Sequence, residues 1–290
     1  FLQEHRLNLG KPFNVIRKAA CMFGWDWGIN LPDSGMWKPC YIEGFDFGRL
    51  ERIDITQTHA GERVTLNMKV RCESWANEAV NTGGSTAAAE GMAARTDKST
   101  IVDGTIKTFV SLYAPDGNLL WNGQDDAAHE NDFVAEVENP QLWWPRGYGE
   151  QPLYQVEVCL LAGNRKIDTL KKQIGLRTVV LNREKDNRGH KYEFIVNDTP
   201  VYIKGESLVI HDALIPRSTP ERWGSLVDNC VRSNLNCIRV WGGAYYPPDI
   251  FYELCDRHGL LVFQDFMFAC TFYYPSDSLM ENIRTEIEQQ

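Results

Sequence analysis

Cys237-Ile238-Arg239-Val240-Trp241-Gly242-Gly243, then Pro248, then Leu260-Leu261-Val262-Phe263-Gln264-Asp265-Phe266, is the stretch that decides the fold. Both runs are apolar along their length and stop at glycine or a carboxylate. Between them Pro248 opens a helix over Asp249 to His258, which Gly259 closes as its C-terminal cap. Pro220 opens another before the first run, with Thr219 as N-cap and the helix continuing to Asn234. Strands apolar on both faces, alternating with helices, predict a parallel sheet covered on both sides. A third helix is expected from Ser278 to Gln290.

Three such strand–helix units over residues 182–290 read as the first part of a (β/α)8 TIM barrel, which needs eight. An open doubly wound sheet competes. Its dinucleotide-binding version lacks support, because no glycine-rich phosphate loop follows the first strand. A hairpin precedes the units, with Tyr192 to Val196, a turn at Asn197-Asp198, and Val201 to Lys204.

Residues 47–181 carry a different period. Alternation in Arg63 to Val70, Thr108 to Tyr113 and Leu153 to Val158, with a Pro115-Asp116-Gly117 turn, predicts an immunoglobulin-like β-sandwich. Residues 81–99, small and polar, read as a mobile, dispensable surface loop. Residues 1–46 combine turn signals with short β-like runs at Asn14 to Arg17 and Pro39 to Glu43, as the end of a β domain. The start at Phe1, with neither Met nor signal pattern, reads as cut.

The formal charge of −9 speaks against a nucleic-acid or anionic-membrane partner, since either wants clustered basic surface. No apolar run reaches membrane-span length. Cysteines at 21, 40, 72, 159, 230, 237, 255 and 270 include no C-x2-C pair, and the histidines have no metal spacing; no metal or cofactor is expected. Cys230, Cys237 and Cys255 read as buried core thiols, consistent with a reducing, cytoplasmic setting. His211 and His258 read as surface or satisfied side chains. The Asn197-Asp198-Thr199 sequon falls in a hairpin turn before Pro200 and is not expected to be modified.

Three clusters carry chemistry. In Phe23-Gly24-Trp25-Asp26-Trp27-Gly28 the indoles could pack on the C–H face of a pyranose while the carboxylate accepts from hydroxyls; the alternative is a loop with Trp as core anchors. Strand alternation turns Arg239 and Trp241 to the side opposite Ile238 and Val240. An inward Arg239 needs a carboxylate, and none is close in sequence. Asp265 closes its strand, where (β/α)8 barrels place functional groups; a helix cap or loop brace is the alternative. Asp26 and Asp265 read as binders. Neither segment offers the apolar pocket that would raise a carboxyl into the range of a catalytic acid.

In this order, Ile16-Arg17-Lys18-Ala19-Ala20, Trp25-Asp26-Trp27-Gly28, Ser34-Gly35-Met36-Trp37-Lys38-Pro39 and Leu142-Trp143-Trp144-Pro145-Arg146-Gly147-Tyr148-Gly149, with the Arg239 and Asp265 strands, resemble the β-mannosidase branch of glycoside hydrolase family two. The resemblance implies a multidomain β plus α/β architecture. Residues 1–46 would end a jelly-roll sugar-binding domain, 47–181 would form the immunoglobulin-like sandwich, and 182–290 would begin the catalytic barrel. It implies a retaining exo-β-mannosidase acting on terminal non-reducing β-D-mannose. A related exo-β-glucosaminidase or endo-β-mannosidase, or a non-catalytic carbohydrate-binding module, remains open. Trp25, Asp26, Trp241 and Asp265 would line the terminal-sugar subsite and Arg239 would orient the nucleophile. No catalytic residue is assigned within the chain: both glutamates are expected beyond Gln290, so the chain alone is expected to be inactive. It is also expected to self-associate through an incomplete barrel, with Arg239 unpaired. The segment Gly205 to Asp212 departs from the family's usual run at the first barrel strand.

Overall fold

The computed structural model describes residues 17–36, 38–45, 47–74, 106–271, 273 and 275–289. Residues 81–99 and 14–16, read above as a loop and part of a strand, lie outside these. The described chain divides into two compact units. One comprises Ile42–Trp143 and Pro152–Val179; the other comprises the chain up to Tyr41, Trp144–Gln151 and Val180 onward.

The first unit is all β. Its strands are β1 (Gly48–Ala60), β2 (Arg63–Ser74), β3 (Ile106–Tyr113), β4 (Leu119–Asp126), β5 (Glu130–Glu138), β6 (Tyr154–Ala162) and β7 (Arg165–Ile174). They form two antiparallel sheets, β1-β2-β5 and β4-β3-β6-β7. Each strand puts every second side chain on one face, and β5 alternates buried and exposed along its whole length. The inward sets of both sheets share one core: Val64, Leu66, Met68 and Val70 of β2, Phe133 and Val137 of β5, Val110 and Leu112 of β3, and Val156 and Val158 of β6. The Pro115-Asp116-Gly117 turn forms as its chemistry predicts. Gly117 has φ +87°, and Asp116 Oδ1 accepts from the Asn118 amide at 3.0 Å.

The second unit holds a small sheet and a parallel one. In the first, β8 (Val179–Asn182), β9 (Glu193–Val196) and β10 (Thr199–Val201) are ordered β10-β9-β8. The β9–β10 turn has positive φ at Asn197 (48°) and Asp198 (61°), the conformation that favours Asn and Asp among non-glycine residues. The parallel sheet runs β11 (Gly205–Leu208), β12 (Cys237–Val240) and β13 (Leu261–Gln264), interleaved with α1 (Pro220–Arg232), α2 (Asp249–His258) and α3 (Asp277–Gln289). Gly205 pairs with Cys237, and Cys237 with Leu261, so chain neighbours are sheet neighbours. The core behind it gathers Trp223, Val227, Ile238, Val240, Phe251, Cys255, Leu260 and Met267.

Several expectations are corrected here. Residues 39–43 form no strand among the described residues, and Tyr41 and Ile42 are exposed. The strands carrying Arg239 and Asp265 end one or two residues early, because the last ladder bonds are Trp241 N to Leu208 O (3.0 Å) and Asp265 N to Val240 O (3.1 Å). Thr219 has the extended backbone of an N-cap but no side-chain capping bond. Gly205–Leu208, at the departing segment, does form a strand.

Two features went unread. Asn236 is fully buried and ties three entries to the sheet: its Nδ2 donates to Tyr202 O (2.9 Å), its Oδ1 accepts from Lys204 N (2.8 Å), and its carbonyl accepts from Leu261 N (2.8 Å). Gly259 ends α2 with φ +73°, and its carbonyl accepts from Arg146 N at 2.8 Å. A Cβ there would lie 2.7 Å from that nitrogen, so the Trp144–Gln151 segment fits against the helix end only over a glycine.

All eight cysteines are free. Cys21, Cys72, Cys159, Cys237 and Cys255 are buried, and Cys40 and Cys270 exposed. Burial pushes the Cys21 thiol up to about 11 and the Cys237 and Cys255 thiols upward too. A thiol reagent at mildly alkaline pH is expected to label two cysteines rapidly, Cys40 and Cys270. Tryptic mapping that found Cys21 or Cys255 in the fast phase would contradict this packing.

Candidate functional site

The Trp25-Asp26-Trp27-Gly28 segment is a tight loop. Phe23 and Asn30 form an antiparallel bridge at its base, and Leu31 N donates to Met22 O at 2.9 Å. Reciprocal backbone bonds between Trp25 and Gly28 (3.1 and 3.3 Å) put Asp26 and Trp27 at the tip. Gly24 allows the entry with φ +90°. Phe23 is buried beneath, while Asp26 is exposed and its carboxylate has no hydrogen-bond or ion-pair partner among the described residues. The Trp residues are therefore not core anchors: Trp27 is 46% exposed.

Both indoles pack on Trp241, just past the end of β12. Trp25 and Trp27 meet its ring edge-to-face, with centroids 5.2 and 6.0 Å away, and lie 6.4 Å from each other. The loop is fastened beside them by Cys21 N donating to Gly243 O at 2.9 Å. Gly243 can be nothing larger without moving Trp241, since a Cβ there would sit 2.1 Å from the indole.

Asp265 follows β13 and fills its acceptor positions from one side. Arg239 grips it as a fork, Nε to Oδ1 at 3.2 Å and Nη2 to Oδ2 at 2.6 Å, and Gly242 N donates to Oδ2 at 3.1 Å. This corrects the expectation that Arg239 is unpaired. Its carboxylate lies 26 residues later and one strand over, a distance the sequence does not advertise. Arg239 is also half exposed, so no lone charge is buried. Ile238 and Val240 do turn into the core behind the sheet.

The structure thus brings Trp25, Trp27 and Trp241 together and pairs Arg239 with Asp265. His211 is half-buried and one of its ring nitrogens is unsatisfied. Its ring lies 4.2 Å from Trp223, its Nδ1 is buried with no partner among the described residues, and burial together with Arg222 holds its pKa below the ordinary value. Among the described residues no group of side chains could hold a metal ion. Sequence reading also missed Glu286 and Tyr246, which reach this region from α3 and the loop before α2. No local pattern marks them.

Comparison with known proteins places the chain in a family. The model of glycosyl hydrolases family 2 matches residues 49–177, and that of the glycosyl hydrolase 2 galactose-binding domain-like family matches residues 2–38. The chain is 31% identical over 286 residues to the β-mannosidase of Capra hircus, covering 96% of this chain and 30% of that one. It is 33% identical over 274 residues to β-mannosidase B of Thermothelomyces thermophilus, covering 94% and 29%. Among solved structures, the β-D-mannosidase of Dictyoglomus thermophilum aligns with a TM-score of 0.79 at 30% identity, over 94% of this chain and 31% of that one. The β-glucuronidase 3 of Bacteroides uniformis shares the fold at TM-score 0.62 and 16% identity, over 83% and 26%. The chain spans about 30% of the length of the curated relatives it matches. With family models matching residues 2–38 and 49–177 and this similarity along nearly its whole length, the chain belongs to glycosyl hydrolase family 2 and is similar to its β-mannosidases.

Proposed function

We propose that this chain supplies the terminal-sugar recognition site of a retaining exo-β-mannosidase. The observation that carries the reading is the three-indole cluster with an unpartnered Asp26 at its rim. Clustered indoles offer a pyranose C–H face an apolar platform, and a free carboxylate accepts from hydroxyls. Three N–H donors hold Asp265 in place and leave it one of its roughly four lone-pair sites for a sugar hydroxyl. Neither is cast as acid or nucleophile. Retention needs two carboxyls about 5–5.5 Å apart, one attacking the anomeric carbon and the other protonating the leaving oxygen. We assign those roles to glutamates other than these residues.

The same proposal gives the architecture. Residues 1–46 end a jelly roll, 47–181 form an immunoglobulin-like sandwich, and 182–290 begin a (β/α)8 barrel. The sequential order β11-β12-β13 fits the start of a barrel, in which successive strands are neighbours throughout.

Titration of intrinsic tryptophan fluorescence tests the reading. Methyl β-D-mannopyranoside is expected to bind about tenfold more tightly than methyl β-D-glucosaminide. The reverse preference would favour the glucosaminidase alternative. No saturable change with either sugar would end the proposal.

A further inference from the structure

Arg17 joins three segments that are far apart in the chain. Its Nε donates to Glu286 Oε2 at 2.7 Å, its Nη2 completes the fork on the same carboxylate, and its Nη1 donates to Met267 O at 2.6 Å. Its guanidinium lies over the Phe268 ring, 4.3 Å from the centroid. From the other side Tyr246 Oη donates to Glu286 Oε1 at 3.0 Å and accepts from Met267 N at 3.4 Å. Both backbone groups of Met267, two residues beyond Asp265, are therefore held by one network. Burial alone would raise the Glu286 carboxyl; hydrogen bonds from Arg17 and Tyr246 outweigh it and hold it below its usual range. Arg17 begins the segment that leads into the indole loop, which is fastened again at Cys21 to Gly243.

We infer that Arg17 is a positioning residue that locks the Trp25-Asp26-Trp27 loop to the segment following Asp265, and so sets the spacing of the two carboxylates presented to a sugar. This rests on the sugar-site reading only for its consequence. The lock itself is geometric. A planar fork can serve a carboxylate and a carbonyl in fixed directions at once, whereas an ammonium is a single, freely rotating point charge.

The experiment uses the 290-residue chain and two readouts. Packed indoles give a far-ultraviolet exciton couplet in circular dichroism, which depends on ring spacing and angle; Trp25→Phe calibrates the share owed to this cluster. Arg17→Met is expected to remove about half or more of that share and to weaken methyl β-D-mannopyranoside binding about tenfold. Arg17→Lys should restore neither. Tyr246→Phe, which keeps every charge, should lower the couplet in the same direction, and it decides the matter if Arg17→Met does not fold. An unchanged couplet in folded Arg17→Met, an unchanged couplet in Tyr246→Phe where Arg17→Met does not fold, or full recovery in Arg17→Lys, overturns the inference. A reduced couplet in these variants, with mannoside binding insensitive to both Trp25→Phe and Asp26→Ala, upholds the lock and removes the sugar reading instead.

Discussion

Trp223→Ala is expected to destabilise the α/β unit by about 3–5 kcal/mol, the usual cost of deleting a buried Trp side chain. Trp223 is 1% exposed on α1, edge-to-face with Phe251 at 5.4 Å and against His211 at 4.2 Å. It belongs to the cluster that backs Ile238 and Val240, so its loss leaves a cavity behind the strand that carries Arg239 and leads to Trp241. Neighbours can fill little of it, because Phe251 and Val227 are themselves fully buried. Urea unfolding followed by amide circular dichroism should show the midpoint falling by about 1–3 M, taking an m-value near 2 kcal/mol/M. With two compact units, the loss should appear as one early transition while the β unit unfolds as before. A midpoint unchanged within error would mean that Trp223 is not packed as described.

Asp26→Ala should do the opposite, leaving folding intact and removing recognition. Asp26 is exposed and unpartnered among the described residues, so its truncation should change the unfolding free energy by no more than about 0.5 kcal/mol, as for other surface substitutions. In a β-mannosidase carrying this chain, kcat/KM on an aryl β-mannoside should fall by about 30- to 1,000-fold. That corresponds to about 2–4 kcal/mol for a charge-assisted hydrogen bond lost from a site that strengthens it in the transition state. An unchanged kcat/KM would remove Asp26 from the subsite. Asp26→Asn separates charge from shape: it keeps one acceptor oxygen and should recover part of the loss.

The two variants mark how far the sequence could be read. Trp223 was legible as helix content and Asp26 as a motif, but neither its packing nor its lack of a partner was. Arg239 shows the limit most clearly. Alternation sets its face correctly, whereas its carboxylate lies across the β12–β13 register, which no local pattern shows. Residues 39–43 show the converse, a run with strand composition that pairs with no strand among the described residues.

By itself the sequence determined what is local. Pro220, Pro248 and Gly259 set helix starts and a helix end because proline fixes φ and glycine tolerates positive φ. Alternation over Arg63 to Val70 set which side of a strand is buried, and Asn197-Asp198 set a hairpin turn. Only the tertiary structure decided which distant groups meet: Trp25 and Trp27 on Trp241, Arg17 on Glu286 across 269 positions, Asp265 on Arg239. The reason is physical. A backbone's period constrains a side chain's direction within a few residues, whereas its partner depends on how strands register and loops dock, and no local interaction specifies that.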